Sequence, residues 1–112
     1  MSGKRIDEET IREIVYILLH LVPVGRVTTY KSLATVTGQH PRKIARILAE
    51  NKDLITTPCH RVVREDRDLS GYSLGRDFKK RLLKIEGVSI ERDKVSRESI
   101  TRLEELLLSK DP

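Results

Sequence analysis

The most constraining feature of the sequence is a set of three residues that begin and end helices. Thr29 is a typical N-cap residue, and it precedes a helix predicted over Tyr30–Thr37. Gly38 can then supply the left-handed residue that closes this helix. Pro41 stands at the favoured first position of a second helix, predicted to end at about Glu50. Two short helices joined by a tight, glycine-containing turn outline a helix-turn-helix.

Further helices are predicted on both sides of this pair. Asp7 can cap a first helix, whose apolar residues recur at helical spacing until Pro23-Val24-Gly25 ends it. A basic amphipathic helix is predicted over about Arg76–Ile85 and is closed by Gly87. Its inward residues are expected to be Phe78, Leu82 and Leu83. A final helix, over about residues 96–109, should pack on the body through one apolar side, with dimerisation as its alternative role.

One pair of short extended segments is predicted beside these helices. Val62-Val63 is β-branched and reads as a strand, Glu65–Asp68 forms its turn, and Leu69–Tyr72 returns. The 112 residues are expected to form one domain, residues 1–112. The predicted fold is therefore mainly α with a small β-hairpin, in a helix-turn-helix arrangement that is winged-helix-like.

The positive charge is concentrated in one segment. The chain carries a formal net charge of +5. The segment from Arg26 to Arg64 contains eight basic residues and only two acidic ones. Such a segment is typical of a face that binds a polyanion, although a solvated basic surface gives the same pattern. No apolar run is long enough for a membrane span, and a single cysteine suits a reducing compartment. The expected location is cytoplasmic and nucleoid-associated, or nuclear in a eukaryote.

The only cysteine lies in the run Thr57-Pro58-Cys59-His60-Arg61-Val62-Val63. A lone cysteine is often a small buried hydrophobe. Here the neighbours are polar and basic, and adjacent imidazole or cationic groups lower a thiol pKa from about 8.5 toward neutrality. The sequence therefore predicts that Cys59 is a nucleophile activated by His60.

Glu86 is a candidate third member of this group. It stands at the C-terminal end of a predicted helix, where the dipole disfavours a carboxylate unless a partner such as His60 offsets it. Cys59, His60 and Glu86 could then act as a thiol, imidazole and carboxylate series. These residue types also suit a thiol hydrolase, but a hydrolase does not need the basic helix pair upstream.

From about Ile11 to Val88, the chain resembles the DNA-binding and active-site domain of the O6-alkylguanine-DNA alkyltransferases (methylated-DNA–protein-cysteine methyltransferases). The motifs that carry the resemblance are Pro23-Val24-Gly25-Arg26-Val27-Thr28-Thr29-Tyr30, Pro41-Arg42, Pro58-Cys59-His60-Arg61-Val62-Val63, and Gly71-Tyr72-Ser73 with Leu82-Leu83 and Glu86-Gly87. The resemblance implies direct repair of O6-alkylguanine in DNA, with O4-alkylthymine as a further substrate left open. Each protein molecule would act once.

The resemblance also assigns roles on the DNA. The second helix of the pair would enter the minor groove of double-stranded DNA, and the damaged nucleotide would be flipped out of the stack. Arg42 would fill the vacated space, Tyr30 would press on the 3′ phosphate and protonate guanine N3, and Asn51 would be the hinge to the thiol loop. The other residues expected to contact DNA or substrate are Lys43, Arg46, Arg61, Val62, Tyr72 and Ser73.

In the implied reaction, Cys59 attacks the alkyl carbon in line, and His60, a water and Glu86 relay the proton. The carbonyls of Cys59 and Val62 would accept the guanine amino group, and the N–H of Ser73 would meet O6. No cofactor and no metal are expected, and the protein should be a monomer. The family's usual N-terminal ribonuclease-like domain is not expected in this chain.

Two alternatives come from other classes. The first is a non-catalytic alkyltransferase-like protein that binds lesions and recruits other repair factors; the presence of Cys59 argues against it. The second is a helix-turn-helix transcriptional regulator with an incidental cysteine, which would leave the series of Cys59, His60 and Glu86 unexplained.

Overall fold

Polar side chains cap the first three helices of the chain. The computed structural model describes residues 7–53, 57–69 and 75–108. Asp7 accepts a hydrogen bond from the Thr10 amide at 2.8 Å and begins helix α1, Glu8–Leu19. Thr29 accepts from the Ser32 amide at 3.0 Å and begins α2, Tyr30–Thr37. These two caps confirm the predicted starts.

The third helix completes the predicted helix-turn-helix. Gly38 closes α2 with φ 72°, and α3 runs over Pro41–Ala49 with the proline in its first turn. The imidazole Nδ1 of His40 accepts from the Arg42 amide at 3.0 Å, a cap that the sequence pattern did not predict. The two helices pack directly against each other. The fold class predicted from the sequence is confirmed.

The remaining elements are two 3₁₀ turns, two helices and four short strands, which form two small sheets. They are the 3₁₀ turn Cys59–Arg61, helix α4 (Arg76–Ile85), the 3₁₀ turn Arg97–Ser99, helix α5 (Leu103–Leu108), and the strands β1 (Thr28–Thr29), β2 (Val62–Val63), β3 (Ile90–Glu91) and β4 (Lys94–Val95). Among the described residues, no helix is long and apolar enough to cross a membrane.

Strand pairing differs from the predicted hairpin. β2 pairs in parallel with β1, so that Thr28 lies opposite Val62 and Thr29 opposite Val63. The antiparallel hairpin seen in the described residues is β3 with β4, which the sequence pattern did not predict. Most of the expected return segment, residues 70–72, lies outside the described residues. Parallel strands are not joined by a short turn that could be recognised in the sequence, so only the tertiary fold brings β1 beside β2.

Two further predictions need correction. Phe78 is 47% exposed and does not face inward; the fully buried residues of α4 are Lys79 and Leu83, which lie four positions apart on one face. The final helix begins only at Leu103 and not near residue 96. The segment before it forms the 3₁₀ turn Arg97–Ser99 and is then tied to Val27, which donates to the Ser99 carbonyl at 2.9 Å and accepts from the Thr101 amide at 2.6 Å.

The core forms two apolar clusters that meet at the cysteine loop. The first lies under α1, α2 and α3 and includes Cys59 and Val62. The second lies under α4 and the β3–β4 hairpin and includes Val63 and Leu83. The turn that carries the thiol therefore passes directly from one cluster into the other, which fixes its position on both sides.

Candidate active site

Cys59 begins a 3₁₀ turn that leads into β2. Its amide donates to the Thr57 carbonyl at 2.8 Å, and the Val62 amide donates back to the Cys59 carbonyl. Pro58 precedes the thiol and restricts the backbone at that point. The residue is 6% exposed and packs in the first apolar cluster. The thiol is thus held on a short, rigid turn below the helix-turn-helix.

Asn51 connects this thiol to the second helix of the pair. It follows Glu50, the C-terminal cap of α3, and its own side chain is almost fully buried. Its Nδ2 donates to Cys59 Sγ at 3.0 Å and to the Asp53 carbonyl at 3.1 Å. Its Oδ1 accepts from the Asp53 amide at 3.0 Å. A displacement of α3 would therefore be transmitted to the sulfur through one side chain.

The protonation state of the thiol differs from the sequence-based prediction. Burial raises the pKa of Cys59 to about 11, while the hydrogen bond from Asn51 and the charge of Lys79 act in the opposite direction. The thiol is therefore protonated at neutral pH in this structure. The prediction that His60 brings the thiol pKa toward neutrality was wrong here, because burial outweighs the polar neighbours.

His60 and Arg61 both bind Glu86. His60 Nε2 lies 2.9 Å from Glu86 Oε2, as the position of Glu86 at the end of a helix had suggested. Arg61 binds the same carboxylate through two nitrogens, at 3.0 and 2.9 Å, and donates to the Val22 carbonyl at 2.9 Å. Burial by itself would raise the pKa of Glu86, but the bonds from Arg61 and His60 outweigh it and hold that pKa below its usual value.

This geometry bears on the role of Arg61. Its guanidinium, 14% exposed, lies against Glu86 and the protein backbone and not on the outer surface. The arrangement fixes the carboxylate that in turn contacts His60. The sequence had suggested that Arg61 contacts DNA or substrate. The cue in the sequence for its pairing with Glu86 was that Glu86 stands at the C-terminal end of a helix, where a carboxylate is unfavourable without a partner.

Tyr30 is the first residue of α2 and packs against the cluster that contains Cys59. Burial, with a smaller contribution from the charge of Cys59, raises the pKa of Tyr30 to about 12. The phenol is therefore a protonated hydrogen-bond donor throughout the neutral range. Tyr30 and Cys59 thus belong to the same apolar cluster.

The basic residues of α3 lie in different surroundings. Arg42, in the first turn, is exposed, and Lys43 is half-buried. Arg46 forms an ion pair with Glu8 of α1 at 2.8 Å and lies 4.0 Å from Glu50. Arg42 thus presents its charge at the surface, whereas Arg46 ties α3 to α1.

Lys79 is a site residue that the sequence pattern missed. Its ammonium is fully buried and donates to the Val62 carbonyl at 2.5 Å. The cue in the sequence for its burial was its position four residues before Leu83, on the same face of α4. Tyr72 and Ser73, two expected substrate contacts, lie outside the described residues. Among residues 7–53, 57–69 and 75–108, no group of three or more His, Cys, Asp or Glu side chains is arranged to hold a metal ion.

Comparison with known proteins places this site in a family. Residues 10–88 match the model of the 6-O-methylguanine DNA methyltransferase DNA-binding domain. A methylated-DNA–protein-cysteine methyltransferase from Metallosphaera sedula is 40% identical over 87 residues, which are 78% of this chain and 55% of that protein. The chain spans about half the length of the curated relatives it matches.

Solved structures share the fold. The OGT of Mycobacterium tuberculosis in complex with DNA is 28% identical, with a TM-score of 0.65 over 74% of this chain and 52% of that one. S. pombe Atl1, in complex with damaged DNA containing O6-carboxymethylguanine, is 24% identical, with a TM-score of 0.77 over 86% of this chain and 98% of that one. At that identity the second likeness concerns the fold alone.

Proposed function

This chain belongs to the family of the 6-O-methylguanine DNA methyltransferase DNA-binding domain, and on that premise we propose that it repairs DNA by transferring an alkyl group from O6-alkylguanine to Cys59. The observation that carries the proposal is the hydrogen bond of 3.0 Å from Asn51, at the end of α3, to the sulfur. It joins the only thiol of the chain to the helix that bears Arg42.

The proposed DNA contact is the minor groove of a duplex, bound by one copy of the chain. Arg42, exposed at the start of α3, occupies the space of a nucleotide that has rotated out of the stack. Lys43 is the second basic residue on this helix, and Arg46 stiffens the helix through its pair with Glu8. The relatives' names and the DNA complex of the M. tuberculosis protein support this assignment.

In the proposed reaction, the Cys59 thiol loses its proton through a water to His60, whose ring is held by Glu86 at 2.9 Å. The sulfur then attacks the alkyl carbon, a carbon–sulfur bond forms, and the bond from that carbon to guanine O6 breaks. The departing guanine takes a proton at N3 from Tyr30, which the raised pKa keeps protonated. The thioether is stable, so the protein is consumed in the reaction.

An intact-mass measurement tests this proposal. The protein is incubated with a duplex that contains O6-methylguanine and then weighed. Transfer predicts a gain of one methylene unit, mapped to Cys59 and absent in Cys59→Ala. Unchanged mass after prolonged incubation, with the duplex bound, would contradict the transfer reaction.

Arg42→Ala tests the flipping step separately. The variant should lose much more activity on duplex DNA than on free O6-benzylguanine, because only the duplex requires flipping. Arg81→Ala, which removes an exposed arginine from α4, is the matched control. Equal losses on both substrates would remove Arg42 from this role.

A second candidate function is lesion binding without transfer. It is favoured by the buried, protonated state of the thiol, whose pKa is raised to about 11. The fold likeness covers 98% of Atl1, a chain of similar extent crystallised with damaged DNA. Binding of the methylated duplex without any mass gain on Cys59 would select this function.

A further inference from the structure

We propose that Arg64 binds one of the two DNA phosphates that flank the flipped nucleotide, beside Tyr30. The inference deepens the proposed function, because it adds a DNA contact to the same site, and it rests on duplex binding with nucleotide flipping. Neither the sequence motifs nor the family resemblance assigned a role on the DNA to Arg64.

The strand register places Arg64 next to Tyr30. β1 and β2 run in parallel, with Thr29 opposite Val63 at the end of the pair. The residues that follow are Tyr30 on one strand and Arg64 on the other, so the two leave the sheet side by side at the same edge. Tyr30 packs against the apolar cluster that contains Cys59. Arg64 therefore lies beside a residue of the proposed reaction.

The guanidinium of Arg64 also acts on the phenol of Tyr30. Burial raises the pKa of Tyr30 to about 12, and the charge of Arg64 opposes that rise, in agreement with the register. In the proposed reaction this phenol touches the flipped guanine. Only a sugar separates a base from its phosphates, so a long cationic side chain beside Tyr30 is placed to reach one of them.

The backbone of Arg64 is fixed while its side chain is exposed. Its amide donates to the Asp68 carbonyl at 3.2 Å, and its carbonyl accepts from the Arg67 amide at 2.7 Å. The second bond closes a tight turn, in which Arg67 adopts φ 72°. The side chain of Arg64 is 59% exposed. A guanidinium carried on such a turn loses less conformational freedom on binding than one on a mobile segment.

The acidic neighbours of Arg64 hold its charge only weakly. Asp66 Oδ1 lies 3.7 Å from Arg64 Nε, and both side chains are more than half exposed, so the pair contributes little. The same oxygen accepts from the Asp68 amide at 3.1 Å. Glu65 is paired with Arg102 at 3.0 Å. The guanidinium fork is therefore available to a phosphate, which it can bind through two nitrogens.

The salt dependence of binding tests this contact. Binding to a duplex that contains O6-methylguanine is measured with Cys59→Ala protein, so that no transfer interferes. Each phosphate contact makes the logarithm of the affinity fall by about 0.9 per tenfold rise in salt. Arg64→Gln in this background should reduce the slope by about 0.9, which is roughly eightfold weaker binding at 0.1 M salt if the proteins bind equally at 1 M. Arg64→Lys should restore most of the slope, and Arg81→Gln, the matched control on an exposed residue of α4, should leave it unchanged.

A neutral phosphate analogue locates the contact. A methylphosphonate replaces in turn the 5′ and the 3′ phosphate of the O6-methylguanine nucleotide and removes its charge. At one of these positions the Cys59→Ala protein should bind roughly eightfold more weakly at 0.1 M salt. The protein that also carries Arg64→Gln already lacks the contact and should lose less than about twofold there.

Two results would overturn the inference. One is a folded Arg64→Gln protein with an unchanged salt slope, and the other is equal sensitivity of both proteins to each methylphosphonate. Arg64→Met, a second neutral variant, gives the same readouts if Arg64→Gln does not fold. The expected slopes without methyl transfer to Cys59 in the wild type would refute the proposed transfer and leave the phosphate contact standing. Transfer by the wild type with an unchanged slope in Arg64→Gln would refute the contact and leave the transfer standing.

Discussion

Replacement of Arg61 by methionine should destabilise the folded chain by about 2–3 kcal/mol at pH 7. The substitution keeps most of the side-chain volume and removes two bonds to Glu86 and one to the Val22 carbonyl. A hydrogen bond that involves a charge contributes about 1.5–3 kcal/mol, and loss of one partner of a fully buried pair costs about 3–5 kcal/mol. The two side chains are 14% and 16% exposed, so solvent reduces the effect below the upper figure.

Thermal unfolding followed by circular dichroism measures this loss. For a domain of this size, each kcal/mol shifts Tm by roughly 4 °C, so Arg61→Met should melt about 10 °C lower. The matched control is Arg64→Met, since Arg64 is 59% exposed and lies 3.7 Å from Asp66. The control should change the free energy of unfolding by less than about 0.5 kcal/mol.

The loss should also depend on pH. The folded-state pKa of Glu86 lies below its ordinary value of 4.5. Its contribution is therefore present in full above that value and is lost as the pH falls through the folded-state pKa. The difference in Tm between wild type and Arg61→Met should accordingly shrink below about pH 4. Equal Tm values at pH 7, or a difference that grows in acid, would refute the role given to the Arg61–Glu86 pair.

Three further substitutions test other parts of the fold and site. Gly25→Ala should lower the free energy of unfolding, measured by chemical denaturation, by about 1–3 kcal/mol. The reason is that φ is +93° at this position and an added Cβ would lie 3.1 Å from the Glu86 carbonyl at the end of α4. An unchanged denaturation midpoint would contradict this prediction. Ser32→Ala should cost about 1–2 kcal/mol and speed proteolysis of α5, because the buried hydroxyl accepts from the Leu103 amide at 2.7 Å; equal cleavage rates would argue against this. Asn51→Ala should slow alkylation of Cys59 by chloroacetamide, because its hydrogen bond lowers the thiol pKa; a faster reaction would show that access to the sulfur controls the rate.

The helix-turn-helix could be predicted from the sequence because local residues determine its ends. Thr29 caps α2, Gly38 closes it with φ 72°, and Pro41 starts α3, each through the conformational preference of its own residue type. The contact of His60 with Glu86 was also anticipated, since a carboxylate at a helix C-terminus needs a partner.

Long-range contacts explain the predictions that failed. The partner of β2 is β1, more than thirty residues earlier, and no turn signal marks a parallel pair. The final helix starts late because the residues before it form a 3₁₀ turn, Arg97–Ser99, and because Val27 binds the backbone of Ser99 and Thr101. Phe78 was expected inside on its hydrophobicity, yet Lys79 takes the buried position, where its ammonium reaches the Val62 carbonyl.

The sequence by itself determined the helix ends, the concentration of positive charge near α3 and the presence of a thiol beside an imidazole. Those properties depend on residue type and on neighbours a few positions away. The tertiary structure alone decided the chemical state of that thiol, because a pKa depends on burial and on charges brought from distant parts of the chain. Burial raises the pKa of Cys59 above the value its neighbours in sequence suggested, and Lys79, twenty residues away, supplies the charge that opposes it.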